Sequence, residues 1–125
     1  MNKTIREEAT FDSVDHLQLV CHEAAANWWK PGDTENPLTF SNKLCLIHSE
    51  ISEAMEGDRK NLKDDKSPHR PMREVELADA LIRIFDLAGA YKMDLAGAVV
   101  EKMAFNASRA DHKLEVRAAI GGKTY

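Results

Sequence analysis

The sequence predicts an all-α chain, built like a four-helix bundle, and three observations lead there. Apolar residues recur at spacings of three and four almost from end to end, and no segment alternates with period two long enough to form a strand. Pro and Gly together fill only ten of the 125 positions, too few breakers for a disordered chain.

The first helix is expected to begin near Asp12 or Ser13, leaving residues 1–10 as an N-terminal extension. Its apolar face carries Val14, Leu17, Cys21, Ala24 and Trp28 until Lys30-Pro31-Gly32-Asp33 stops it. After a loop over 31–38, Thr39 or Ser41 can cap a second helix with Phe40, Leu44, Ile47, Ile51 and Ala54 as its apolar stripe, ending near Gly57. Residues 58–71 form a charged connector, read as a solvated link. The third helix runs from Pro71 or Met72 to about Tyr91, with Pro in its first turn and Glu74 suited to its dipole. Asp94 is a good N-cap for a fourth helix through Leu95, Val99, Met103 and Phe105 to roughly Asp111, followed by a basic tail over 112–125.

With 43% hydrophobic and 30% charged residues, this length suits one domain, residues 1–125, with a single core. Seventeen basic against 21 acidic residues give a net charge of −4, which argues against a nucleic-acid polymer or an anionic membrane surface as partner. The two cysteines, Cys21 and Cys45, lack zinc-site spacing, and no apolar run is long enough for a membrane span. A cytoplasmic protein is the simplest expectation.

Charged stripes interrupt the apolar helices. On the third helix Glu76, Asp79, Arg83 and Asp86 fall within a sector of roughly 80°. On the second, Lys43, Leu46, Glu50 and Glu53 share a sector of similar width that borders the apolar stripe. If the two helices pack antiparallel, Glu50, Glu53, Glu76 and Asp79 converge beside the core. Such a cluster either takes up protons or recruits a divalent cation, Mg²⁺ or Mn²⁺. The bland alternative is a pair of solvated faces with local ion pairs such as Asp79 with Arg83. On the fourth helix Lys102, Asn106 and Arg109 lie at i, i+4 and i+7, a pattern suited to polyphosphate, or separately to dipole compensation and snorkelling.

These motifs, ExxE (Glu50, Glu53), ExxD (Glu76, Asp79) and KxxxNxxR (Lys102, Asn106, Arg109) on consecutive helices, resemble the MazG-like all-α nucleoside triphosphate pyrophosphohydrolases. The likeness extends over most of residues 26–125, including Asn27-Trp28-Trp29-Lys30, Glu76-Leu77-Ala78-Asp79 and Arg109-Ala110-Asp111-His112-Lys113, and is closest to the compact single-domain branch of phages and bacteria. It implies Mg²⁺-dependent cleavage of a nucleoside triphosphate to the monophosphate and pyrophosphate. Glu50, Glu53, Glu76 and Asp79 would hold the metal, with Glu50 or Glu53 as general base. Family members often carry a second Glu just before ExxE; here that position is Ser49. Lys102 and Arg109 would hold the departing phosphates, Lys43 more weakly, and Asn106 a sugar or phosphate oxygen.

For the base, a helical wheel slightly favours Trp28 as core and Trp29 as the stacking surface, with the reverse also open. His22 and His48 are read as surface or hydrogen-bonded structural histidines. Wide apolar stripes on four helices, and the family's habit, point to a homodimer or homotetramer. Two rivals stand beside this reading: a non-catalytic helical module that binds a nucleotide or a partner, and a di-iron oxidoreductase bundle, for which the ExxH pairs are missing.

Overall fold

The computed structural model describes residues 2–109 and Gly121. Among the described residues it is all-helical, with four α-helices: α1, Lys3–Ala25; α2, Thr39–Arg59; α3, Met72–Ala90; and α4, Leu95–Ser108. Short 3₁₀ turns at Ala26–Trp28 and Asp33–Glu35 link α1 to α2. No described helix is long and apolar enough to cross a membrane. The chain divides into two compact units, one of residues 16–93 and one of residues 1–15 with 94–125.

In the larger unit α2 and α3 pack antiparallel, and the chain between them enforces this. Each helix stops with a residue in the left-handed region, Asn61 (φ 51°) after α2 and Lys92 (φ 52°) after α3. The reversed turns let the Leu62 amide donate to the Gly57 carbonyl and the Met93 amide to that of Ala88, at 2.9 Å each, which satisfies carbonyls the helix leaves open. The connector then folds back on itself. A lone bridge joins Lys63 to Pro71, and the Met72 amide donates to the Leu62 carbonyl, so α3 starts where α2 ended. Far from being a solvated link, the connector buries Asp64, whose carboxylate accepts from the Lys66 and Ser67 amides at 3.1 and 2.7 Å.

Ile47, Ala80 and Leu87 form the core of this unit, with Trp29, Phe40, Ile84 and Tyr91 packed against them. Phe40, Trp29 and Tyr91 meet edge to face, with Phe40 to Tyr91 at 5.2 Å and Trp29 to Tyr91 at 6.3 Å between ring centres. Where the ends of α2 and α3 cross, Gly57 is buried and a Cβ built there would lie 2.9 Å from the Met72 Cβ.

The smaller unit holds the first half of α1 and α4. Asp94 caps α4 as expected, its carboxylate accepting from the Gly97 amide at 3.0 Å. An apolar groove of about 200 Å³ runs between Arg6, Thr10, Val100 and Met103.

Four sequence expectations change. The first helix begins at Lys3, not near Asp12, because the first ten residues contain no Gly or Pro to stop it. The residue before α2 is Leu38, without a side-chain cap, and Ser41 instead returns its hydroxyl to the Leu38 carbonyl. The fourth helix ends at Ser108, short of Asp111. The fourth change concerns the face of α1. His22 and Trp29 bond to Asp86 on α3 and Gln18 to the Met93 carbonyl just past its end, whereas Leu17 is 42% and Trp28 77% exposed. The tail over 112–125, Gly121 apart, lies outside the described residues.

The crossing at Gly57 gives a stability test. Gly→Ala ordinarily favours a helix by about 1 kcal/mol, but the added methyl meets the Met72 Cβ and the Arg73 amide, so overpacking of about 1–3 kcal/mol wins. Gly57→Ala is expected to lower the melting temperature in calorimetry; an unchanged or higher value would show that the helices separate freely there.

Candidate functional site

Antiparallel packing puts the two acidic pairs opposite each other. Glu50 and Glu53 stand one turn apart on α2, Glu76 and Asp79 one turn apart on α3. Carboxylate oxygens of Glu50, Glu76 and Asp79 all lie within 4.8 Å of one another. Glu53 is close enough to raise the Glu76 carboxyl as well, so the four carboxylates named from the sequence share one neighbourhood.

Glu76 is the deepest of them, only 8% exposed, and its Oε2 is buried without a hydrogen-bond partner. Hydrogen bonding with Glu50 first, then burial, then contact with Glu53 push its carboxyl up to about 8, so it holds a proton at neutral pH. Asp79 is raised too, by burial and then by the charge of Glu50, with Arg83 opposing and the buried Asp64 of the connector adding to the rise. A buried acceptor without a donor, among carboxylates that can lose their protons, is the donor set a hard divalent cation takes. The residues therefore fit Mg²⁺ or Mn²⁺ on their oxygen chemistry.

Beside the acids opens a cleft of about 510 Å³, with Trp28, Lys43, Glu50, Asp79, Arg83 and Asp86 among its walls. Arg83 Nε donates to Glu50 Oε1 at 3.0 Å, across the two helices. The local Asp79–Arg83 pair of the bland alternative does not form among the described residues. Lys43 reaches the cleft with its ammonium 4.5 Å from the centre of the Trp29 ring.

The two tryptophans exchange the places the wheel favours. Trp29 packs on the core, its indole N–H donating to the Asp86 carboxylate at 3.0 and 3.1 Å, while Trp28 lines the cleft. The cause is Asp86, which also bonds to His22 Nδ1 at 2.9 Å and turns the polar edge of α1 inward. Gly89 permits this approach, since a Cβ there would sit 2.6 Å from that of His22. His22 is thus a hydrogen-bonded structural histidine, and His48 is exposed.

In the smaller unit, Lys102 and Asn106 lie on α4, but Arg109 is past its end, in extended backbone, so the helical row of three does not form. Lys102 and Arg109 instead flank the Phe105 ring, 4.7 and 6.0 Å from its centre. Asn106 Oδ1 is buried without a partner.

Sequence reasoning missed Asp64, Arg83 and Asp86 as parts of the site region. Arg83 and Asp86 were visible on the α3 seam with Glu76 and Asp79, and could have been taken with them; Asp64 carries no signal beyond being an acid before a Ser three residues on. Comparison with known proteins gives no match: no family model, no curated protein and no solved structure aligns with the chain.

Glu76 makes stability depend on pH. Below about pH 4 the acid is protonated folded and unfolded; as pH rises from there toward about 8, only the unfolded chain ionises, so stability falls across that window and levels above it. In EDTA the melting temperature is expected to drop between pH 5 and 8, measured by circular dichroism, and Glu76→Gln to flatten the slope. A wild-type melting temperature that rises through the same window would contradict a protonated Glu76.

Proposed function

We propose that the chain is a MazG-like enzyme that hydrolyses a ribo- or deoxyribonucleoside triphosphate to the monophosphate and pyrophosphate, with Mg²⁺ as cofactor and Mn²⁺ able to replace it. The observation that carries this reading is the buried, unpartnered oxygen of Glu76 among three further carboxylates, at the edge of a cleft that also holds a cation and an exposed indole. A solvated acidic face would leave each carboxylate in water; here the innermost one is enclosed, which supports a bound cation over local ion pairs.

Glu50, Glu53, Glu76 and Asp79 would hold the ion. Bound there, Mg²⁺ supplies neutralisation of phosphate charge and a more acidic water. The rest belongs to the chain. Glu50 or Glu53 takes the proton as a water oxygen forms its bond to phosphorus, and the bond from that phosphorus to the α,β-bridging oxygen breaks, its electron pair leaving with pyrophosphate. Lys43 offers charge to the phosphates from the cleft wall. Trp28, 77% exposed on that wall, offers a face for a base to stack on, in place of Trp29. The family resemblance further assigns Lys102, Asn106 and Arg109 to the substrate, on the sequence pattern. A homodimer or homotetramer accords with large apolar side chains left open on α2 and α3, among them Ile51, Met55, Leu77 and Leu81 at 49–62% exposure.

Pyrophosphate release from a panel of ribo- and deoxyribonucleoside triphosphates with Mg²⁺ tests the activity. Wild type is expected to release it from at least one, and Glu53→Gln and Asp79→Asn to lose about 100-fold or more in kcat. Undiminished turnover in both variants removes these ligands from the reaction. Nucleotide that stabilises the wild-type protein without being consumed marks a binding module instead.

A further inference from the structure

Among the described residues, Arg83 is the one cation bonded to the acid cluster. Its Nε donates to Glu50 Oε1 at 3.0 Å, and Nη1 and Nη2 have no hydrogen-bond partner among those residues. Glu50 is the enclosed member of the pair, with 12% of its side chain exposed against 43% for Arg83, so the arginine is the member with room to move. Both residues line the cleft. Lys43, on the same wall, is already engaged with the face of Trp29.

A guanidinium and a divalent cation held on one carboxylate repel each other, because the two positive charges then stand a few ångströms apart in a poorly screened site, so each weakens the hold of the other. Resting on the metal-assisted reading above, we propose that Arg83 is a switching cation. It neutralises Glu50 until the ion takes that carboxylate, then turns into the cleft and binds the phosphates that leave as pyrophosphate.

The shape of the side chain suits the second task. Its planar donors match phosphate oxygens two at a time, which an ammonium cannot do, and the two unengaged Nη groups are available to a ligand in the cleft. The arrangement also links the two binding events. An ion that displaces Arg83 frees the donor a phosphate needs, so each ligand favours the other. The competing role is a fixed one, in which Arg83 stays on Glu50 and orients it toward the ion; the two roles make opposite predictions for ion affinity.

Two probes separate them without turnover: Mn²⁺, read by the electron paramagnetic resonance of the free ion, and inorganic pyrophosphate, titrated calorimetrically into the Mn²⁺-loaded protein. Arg83→Met is expected to tighten Mn²⁺ binding about fivefold and to weaken pyrophosphate binding about tenfold or more. Arg83→Lys keeps the charge but not the fork. It is expected to leave Mn²⁺ affinity within about twofold and still weaken pyrophosphate binding, and it stands in if the methionine variant misfolds. Weaker or unchanged Mn²⁺ binding in Arg83→Met, or pyrophosphate affinity unmoved in both variants, overturns the switch. If wild type itself binds no Mn²⁺, the metal-assisted reading fails as a whole; Mn²⁺ binding that Arg83→Met does not tighten defeats the switch alone.

Discussion

The burial of one carboxyl group, that of Glu76, sets the terms for the rest of the larger unit. A carboxylate placed 8% exposed beside an apolar core must keep its proton, find a donor or find a cation. The chain offers it other acids. Glu50 and Glu53 face it across the α2–α3 seam, and the only cation bonded to the cluster among the described residues, Arg83, reaches Glu50 and not Glu76. Each of these neighbours is there because α2 and α3 run antiparallel in one register, and the register is fixed at both ends. Gly57 lets α3 start against α2, and Phe40 closes on Tyr91 at the far end.

Asp86, a turn beyond Arg83, has a comparable role. It is the acceptor for both His22 and Trp29, so a single carboxylate ties the second half of α1 and the turn after it to α3. Two consequences follow for the cleft. Trp29 is drawn onto the core, which leaves Trp28 outside, and the indole face of Trp29 becomes the seat for the Lys43 ammonium. The acid that builds the wall thus decides which aromatic and which cation the wall presents.

The helices themselves were legible because apolar spacing of three and four is a strong signal, and α2, α3 and the Asp94 cap appear where that signal puts them. The acidic seams were legible for the same reason: i,i+3 pairs on two helices joined by a connector can meet. What the spacing does not encode is which side of a mixed helix a buried polar group will claim. On α1 and the turn after it the apolar count favours Leu17 and Trp28, but hydrogen bonds to Asp86 outweigh it and turn His22 and Trp29 inward. The fold-back of the connector was hidden likewise, since an Asp that accepts from two amides looks, in sequence, like any charged loop residue. Arg109 shows the limit at a helix end, where one residue past the last turn leaves the face that periodicity assigns it.

Packing alone gives no reason for the arrangement of α3. Buried ionisable groups are commonly replaceable by apolar ones with no loss, and often a gain, of stability. Leu77 and Leu81, on this same helix, are each 53% exposed, while Glu76, beside Leu77, is enclosed. The orientation of the helix is set by Ala80, Ile84 and Leu87 on the core, so a sequence shaped only by the hydrophobic effect would place an apolar residue at position 76. A carboxyl group in that buried position, with Asp79 also raised by burial and Asp64 close enough to act on it, concentrates ionisable acids at one point, where Glu76 keeps its proton at neutral pH. Such a point is stabilised by whatever positive charge enters it, and a divalent ion relieves several carboxylates at once. In the proposed assembly a second copy of the chain would cover the exposed leucines, an apolar contact that cannot neutralise an acid. The two sides of the helix thus differ in kind, one gathering carboxyl groups around a buried Glu76 and the other leaving Leu77 and Leu81 open, and the proposed function bears on the first while the proposed assembly bears on the second.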